Sequence, residues 1–118
     1  MGPAGACSAV CHPSGRLLLV AHYGGSAVST LTIDPQTAAL SPGSVWEIPG
    51  GGAEVAMDTF HGPRADAPHP HSVVLDPSGD RVLAPDLGQD KIHVLDIGEH
   101  LAQCSSLRFH PAGAALQT

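Results

Sequence analysis

The chain repeats itself, and this limits the folds open to it more than any other feature. His12-Pro13-Ser14-Gly15 and Asp76-Pro77-Ser78-Gly79 stand 64 residues apart. Extending that register without a gap over 12–33 and 76–97 gives 7 identities in 22 positions. They are Pro13/Pro77, Ser14/Ser78, Gly15/Gly79, Leu19/Leu83, Gly24/Gly88, Leu31/Leu95 and Ile33/Ile97. His110-Pro111-Ala112-Gly113 begins a third copy, 34 residues after the second. Each copy has the same physical text. A short apolar strand (8–11, 72–75, 106–109) leads into a turn where proline fixes one φ and glycine supplies a left-handed position. A second, continuously apolar strand follows at 17–21 or 81–84, which predicts burial on both faces. Gly24-Gly25, matched by Gly88-Gln89-Asp90, reads as a hairpin turn. A third strand, 27–33 or 91–97, alternates apolar and polar residues, which predicts one face on a core and one towards water. In the first copy a turn at Ser41-Pro42-Gly43 precedes a fourth strand, 44–48.

Short antiparallel strands in fours, repeated in register, describe the blades of a β-propeller. The expected fold is all-β, a partial propeller of four-stranded antiparallel blades in an incomplete ring. One blade spans 5–48, a long loop 49–70 and a shortened blade 71–104, and 105–118 start the next. The segment 98–104 offers no evident text for a fourth strand. With 14 Gly and 11 Pro in 118 residues, no uninterrupted periodic stretch is long enough for a helix bundle. Propellers close with roughly four to eight blades of about 40–50 residues. Two blades and the start of a third cannot close a ring. The expectation is therefore a piece of a longer protein, or chains that associate. Unpaired strand edges recruit other strands, so an isolated chain is expected to self-associate.

Charge narrows the partners. Five Lys and Arg against eleven Asp and Glu leave a net charge of −6, which argues against nucleic acid and anionic membranes. No run of roughly eighteen apolar residues predicts a membrane span. No basic segment followed by an apolar one opens the chain as a secretory signal would. Cys7, Cys11 and Cys104 form no dense disulfide framework. A cytoplasmic location is the expectation.

Four residues stand out as candidate site residues. His71 starts the inner strand of its blade, which in a propeller faces the central channel; its register equivalents are Cys7 and Ser105. Imidazole exchanges protons near neutral pH, so His71 is a candidate general acid or base. His69 and His71 form a His-x-His pair whose rings share one strand face, an arrangement that suits zinc or copper. Pro70 lies between them, however, and no Asp, Glu or Cys completes a set nearby, so no metal and no cofactor are expected. Arg64 sits in the Gly- and Pro-rich connection 49–70, either as a bidentate anchor for a phosphate or carboxylate or as a solvated loop residue. Asp86, at a strand end, either lines the same mouth or caps the turn that follows. Cys7 and Cys11 share a strand face but stand about 13 Å apart, too far for one metal ion. Gly50-Gly51-Gly52 lacks the Lys-Ser/Thr of a phosphate loop.

Arg64, Pro68-His69-Pro70-His71-Ser72, Asp76-Pro77-Ser78-Gly79 and Pro85-Asp86-Leu87-Gly88, in this order and spacing, resemble the signature of the seven-bladed lactonase family. That family includes propeller-type 6-phosphogluconolactonases and carboxy-muconate cyclases. His22-Tyr23-Gly24-Gly25 is similar to the preceding blade, where Asn is usual at the position of His22. The resemblance implies hydrolysis of a sugar-acid lactone by water attack on the ring carbonyl. It also implies His71 as the catalytic acid/base, with Arg64, His69 and Asp86 binding the small lactone. Two departures matter. The family's next Arg and His fall on Ser105 and Ser106, and a family Glu falls beyond Thr118. The interval from Asp76 to His110 is also shorter than the family's. The chain alone is therefore expected to be inactive. A non-catalytic propeller scaffold and a cyclase-type enzyme are the alternatives.

Overall fold

A computed structural model describes residues 3–50 and 67–108. Its elements are β1 (Ala6–Cys11), β2 (Leu17–His22), β3 (Ala27–Ile33), β4 (Leu40–Glu47), β5 (Val74–Leu75), β6 (Arg81–Asp86), β7 (Lys91–Asp96) and β8 (Ala102–Arg108). They form two four-stranded antiparallel sheets, β1-β2-β3-β4 and β5-β6-β7-β8. These are two propeller blades, as the repeat predicts. Among the described residues no helix is long and apolar enough to cross a membrane.

The repeated turn is built twice from different chemistry. Gly15 and Gly79 take φ values of 73° and 79°, a region an L side chain rarely adopts. In the second blade Asp76 Oδ1 accepts hydrogen bonds from the Gly79 and Arg81 amides, both at 3.1 Å. In the first, His12 takes that place, its Nδ1 accepting from the Ser14 amide at 3.1 Å. Its Nε2–H then donates to the Gly79 carbonyl at 2.7 Å and ties one turn to the other.

The hairpin turns expected at Gly24-Gly25 and Gly88-Gln89-Asp90 join β2 to β3 and β6 to β7, and their left-handed residues are Ser26 (φ 53°) and Asp90 (φ 59°), which match across the register. Two sequence expectations are corrected. Ser41-Pro42-Gly43 lies inside β4, where Ser41 and Pro42 pair with Thr32 and Leu31 and a bulge falls between the Leu31–Pro42 and Ser29–Val45 pairs. The turn before β4 is at Asp34, whose Oδ1 accepts from the Gln36 and Thr37 amides. Residues 105–108, expected to open a third blade, pair with β7 as part of β8. The second blade therefore has its fourth strand and is not cut short at 104. The outer edge of β7 offers the unpaired ladder, and buried Leu101 anchors the approach to it. The remainder of the expected third blade, 109–118, lies outside the described residues, as does 51–66 of the long loop.

The core lies between the two sheets. Leu19, Ala21 and Val28 of the first meet Val82, Ala84 and Leu95 of the second, with Val73 and Leu101 closing the ends. β2 is buried over Leu19–His22, close to the two-sided burial expected. The alternation in β3 does not carry through: 27–30 are all buried. Its hydroxyls are satisfied within the sheet, Ser29 Oγ at 2.7 Å from His22 Nε2 and Thr30 Oγ1 accepting from the Ser44 amide at 2.8 Å. Polar residues there need no water.

His22 is 7% exposed, and its Nδ1 has no hydrogen-bond partner among the described residues. Burial holds its pKa below 6.5, against a smaller opposing pull from the Pro3 backbone. The unfolded chain therefore takes up a proton at a higher pH than the fold does. Stability is lost as pH falls below the unfolded value. Urea unfolding at about pH 7.5 and about pH 5.5 should show less of this loss in His22→Asn than in the wild type. A separate check is Leu95→Ala, which should cost about 3 kcal/mol by the same measurement, because Leu95 is fully buried.

Candidate functional site

The inner edges of the two sheets meet beside an open hollow of about 460 Å³. Gly5, Ala6, Cys7, Tyr23, Gly24 and His71 line it. Cys7 and His71 are register equivalents, and the fold sets them side by side: Cys7 Sγ–H points to the His71 carbonyl oxygen at 3.3 Å.

The backbone before β5 is fixed by β6 and its hairpin. Leu87 N–H donates to the His69 carbonyl, and His71 N–H to the Pro85 carbonyl, both at 2.9 Å. Tyr23 N–H bonds the Gly5 carbonyl in the equivalent way in the first blade. Gly88 passes so close to the Ala67 carbonyl that any Cβ there would overlap it. These bonds carry an exposed His71 side chain on a backbone that has little freedom.

His69 and His71 flank Tyr23 rather than a common ligand. The Tyr23 ring stacks on His69 at 4.4 Å and meets His71 edge-on at 6.1 Å. His69 Nδ1–H donates to the Tyr23 carbonyl at 2.7 Å, which fixes the ring's tautomer and direction. His69 is half-buried and is not part of the hollow's lining. The sequence pointed to His69 as a binding residue; its place is behind Tyr23, which it holds.

Asp86 is also relocated. Its side chain is fully buried and does not line the hollow, so a direct substrate contact is not what the fold gives it. Oδ1 accepts from the His69 amide (2.8 Å) and the Gln89 amide (3.0 Å). Oδ2 accepts from His93 Nε2–H at 2.8 Å. Gln103 donates to His93 Nδ1 at 3.1 Å, and Trp46 packs its ring against that imidazole at 5.2 Å. The turn-capping alternative thus describes part of what Asp86 does. Arg64, the other expected binding residue, lies outside the described residues.

Tyr23 and Cys7 are the lining residues that a search for catalytic types does not single out. The signal for Cys7 is the register, which equates it with His71. The signal for Tyr23 is its place in His22-Tyr23-Gly24-Gly25, the text that resembles the family's preceding blade. Ser105 and Ser106, aligned with the family's Arg and His, pair with Val94 and His93 on the outer strand β8, away from this edge.

Because Asp86 holds three groups in a buried place, Asp86→Ala should lower stability by about 3 kcal/mol or more in urea unfolding. A variant as stable as the wild type would restore Asp86 to the surface and to the substrate.

The family model for the seven-bladed β-propeller lactonases matches residues 1–115. A protein of Arthroderma benhamiae, named a probable 6-phosphogluconolactonase, is 33% identical over 96 residues, 81% of this chain and 23% of that protein. A solved structure from Bacteroides fragilis, named as a candidate 6-phosphogluconolactonase, aligns with TM-score 0.59 and 32% identity over 72% of this chain and 22% of that one. A Lactobacillus plantarum structure aligns with TM-score 0.71 and 24% identity, over 92% of this chain and 28% of that one, and supports the fold alone. The chain spans about a quarter of the length of these relatives. On the match over residues 1–115, the chain belongs to the seven-bladed lactonase family.

Proposed function

We propose that this chain forms one side of a site that hydrolyses a sugar-acid lactone such as 6-phosphogluconolactone, with His71 as general acid and base. The observation that carries this reading is an exposed imidazole, on a backbone pinned by β6, at the rim of an open hollow. The names of two relatives support the substrate class. Water adds to the ring carbonyl carbon while the His71 imidazole accepts its proton. The ring C–O bond then breaks, and the imidazolium returns the proton to the departing alkoxide oxygen. The product is the open-chain hydroxy acid.

The Tyr23 ring confines the His71 imidazole from one side, and His69 confines Tyr23. Arg64 is the proposed anchor for the substrate's anionic group. Asp86 supports binding only through the backbone it holds. A developing oxyanion needs donors or a cation. Among the described residues that line the hollow there is no Lys or Arg. The proposal therefore leaves the oxyanion's donors to residues outside this lining and includes no turnover by the 118 residues alone. A cytoplasmic step of carbohydrate metabolism and self-association of the isolated chain belong to the same reading.

The test is the hydrolysis rate of 6-phosphogluconolactone in the native protein that carries this sequence. His71→Gln should lower kcat roughly 10²–10⁴-fold without altering the unfolding midpoint. Arg64→Ala should act mainly on KM. A His71→Gln protein with an unchanged rate would leave a propeller scaffold as the better description.

A further inference from the structure

The hollow beside His71 offers a ligand few side-chain groups. Gly5, Ala6 and Gly24 bring no polar side chain to it. The Cys7 thiol faces carbonyl oxygens of both blades, at 3.3 Å from that of His71, 3.6 Å from Pro70 and 3.8 Å from Ala21, so its hydrogen stays within the protein. The His71 imidazole is occupied with the proton. The Tyr23 hydroxyl is what remains, and it has no hydrogen-bond partner among the described residues.

The fold does not need that hydroxyl. Every other part of Tyr23 is in use. Its N–H donates to the Gly5 carbonyl at 2.9 Å, and its carbonyl accepts from His69 Nδ1–H at 2.7 Å. Its ring stacks on His69 and meets His71 edge-on. The 64-residue register sets Leu87 at the place of Tyr23 and His69 at that of Gly5. Leu87 N–H donates to the His69 carbonyl at 2.9 Å, the same bond on the same chain path, with no polar tip on the side chain. An aliphatic residue thus meets the backbone and packing needs of this position. The phenol stands in the blade where the residue lines the hollow; Leu87 is not part of that lining. A phenol both donates and accepts, as an alcohol does, and a ring with few torsions, already held by its neighbours, loses little entropy when a ligand binds.

We propose that the Tyr23 hydroxyl hydrogen-bonds a ring hydroxyl of the substrate and so favours polyhydroxylated sugar-acid lactones over plain ones. The inference rests on the lactone reading above for its ligand class. It adds a specificity residue that touches the substrate, whereas His69 and Asp86 act through the ring and backbone they hold. The substrate hydroxyl keeps its bond in the ground state and the transition state alike, so losing that bond acts on KM.

The experiment compares two uncharged lactones in the native protein that carries this sequence: δ-gluconolactone, which has ring hydroxyls, and δ-valerolactone, which has none. Tyr23→Phe keeps the ring and removes the hydroxyl. It should raise KM for δ-gluconolactone roughly 3–10-fold and lower the preference for it, read as the ratio of the two kcat/KM values, by the same factor. Calorimetric titration with 6-phosphogluconate, the ring-opened product, needs no turnover, and its affinity should fall by a like factor in Tyr23→Phe. If His71→Gln leaves hydrolysis unchanged, the acid/base reading falls, while a loss of affinity in Tyr23→Phe still upholds the hydroxyl contact. If His71→Gln stops hydrolysis but Tyr23→Phe keeps the wild-type KM, preference and affinity, this inference alone is overturned. An equal loss on both lactones also overturns it, since the hydroxyl would then select nothing. A wild type that neither hydrolyses δ-gluconolactone nor binds 6-phosphogluconate overturns both.

Discussion

One buried carboxylate joins the parts of this chain that have to meet at the inner end of the second blade. Removing Asp86 from water is unfavourable unless its oxygens are hydrogen-bonded. Three donors meet that need, and they come from three places: the His69 amide before β5, the Gln89 amide in the hairpin and the His93 ring in β7. None of these segments can shift without leaving an unpaired group in the interior. The stack of His69 on Tyr23 then carries the constraint across to the first blade. His71 can be exposed and still be held in one direction, because the backbone on either side of it is anchored from within. The first blade has a neutral counterpart, His22 with Ser29, which leaves one ring nitrogen without a partner among the described residues.

The repeat also explains why the site is asymmetric. The Tyr23–Gly5 and Leu87–His69 backbone bonds show the same chain path at both inner strands. On that common path the first blade presents a thiol, Cys7, and the second an imidazole, His71. The scaffold fixes where a side chain emerges, and single residues decide what chemistry emerges there. The hollow between them belongs to neither blade, since its lining comes from both.

Much of the fold was legible because strand and turn signals are local. The His/Asp-Pro-Ser-Gly turns, the apolar runs of β2 and β6 and the alternation of β7 all mark strands the structure contains. What misled were residues whose meaning depends on a neighbour in space. Pro42-Gly43 reads as a turn, but the chain had already turned at Asp34, and Gly43 sits in the ladder because Thr30 approaches it too closely for a side chain. Ser105 reads as the inner strand of another blade, yet β7 offered its outer edge nearer by. For the site, the sequence located His71 and the region around it. It could not separate a carboxylate that faces a mouth from one that faces inward, because Asp86 looks the same in either setting until His93 is seen beside it. Tyr23 stood in a motif that resembles the family's, but its role did not show: a ring that packs against two imidazoles has no signature of its own.

The inner strands of a blade satisfy their backbone hydrogen bonds within it, whereas its two faces can be buried only by other blades. Strand formation and face burial are therefore separate requirements, and in a repeat fold only the second passes from unit to unit. In this chain the separation is visible in the placement of charge. Asp76, Asp80, Arg81 and Asp96 cluster at the turn end of the second blade, with Arg81 and Asp96 paired in solvent at 3.1 Å. The faces between blades carry apolar side chains instead, together with hydroxyl and imidazole groups bonded within the sheet. Electrostatics keeps the rim in water, and face burial alone selects what lies beside each blade.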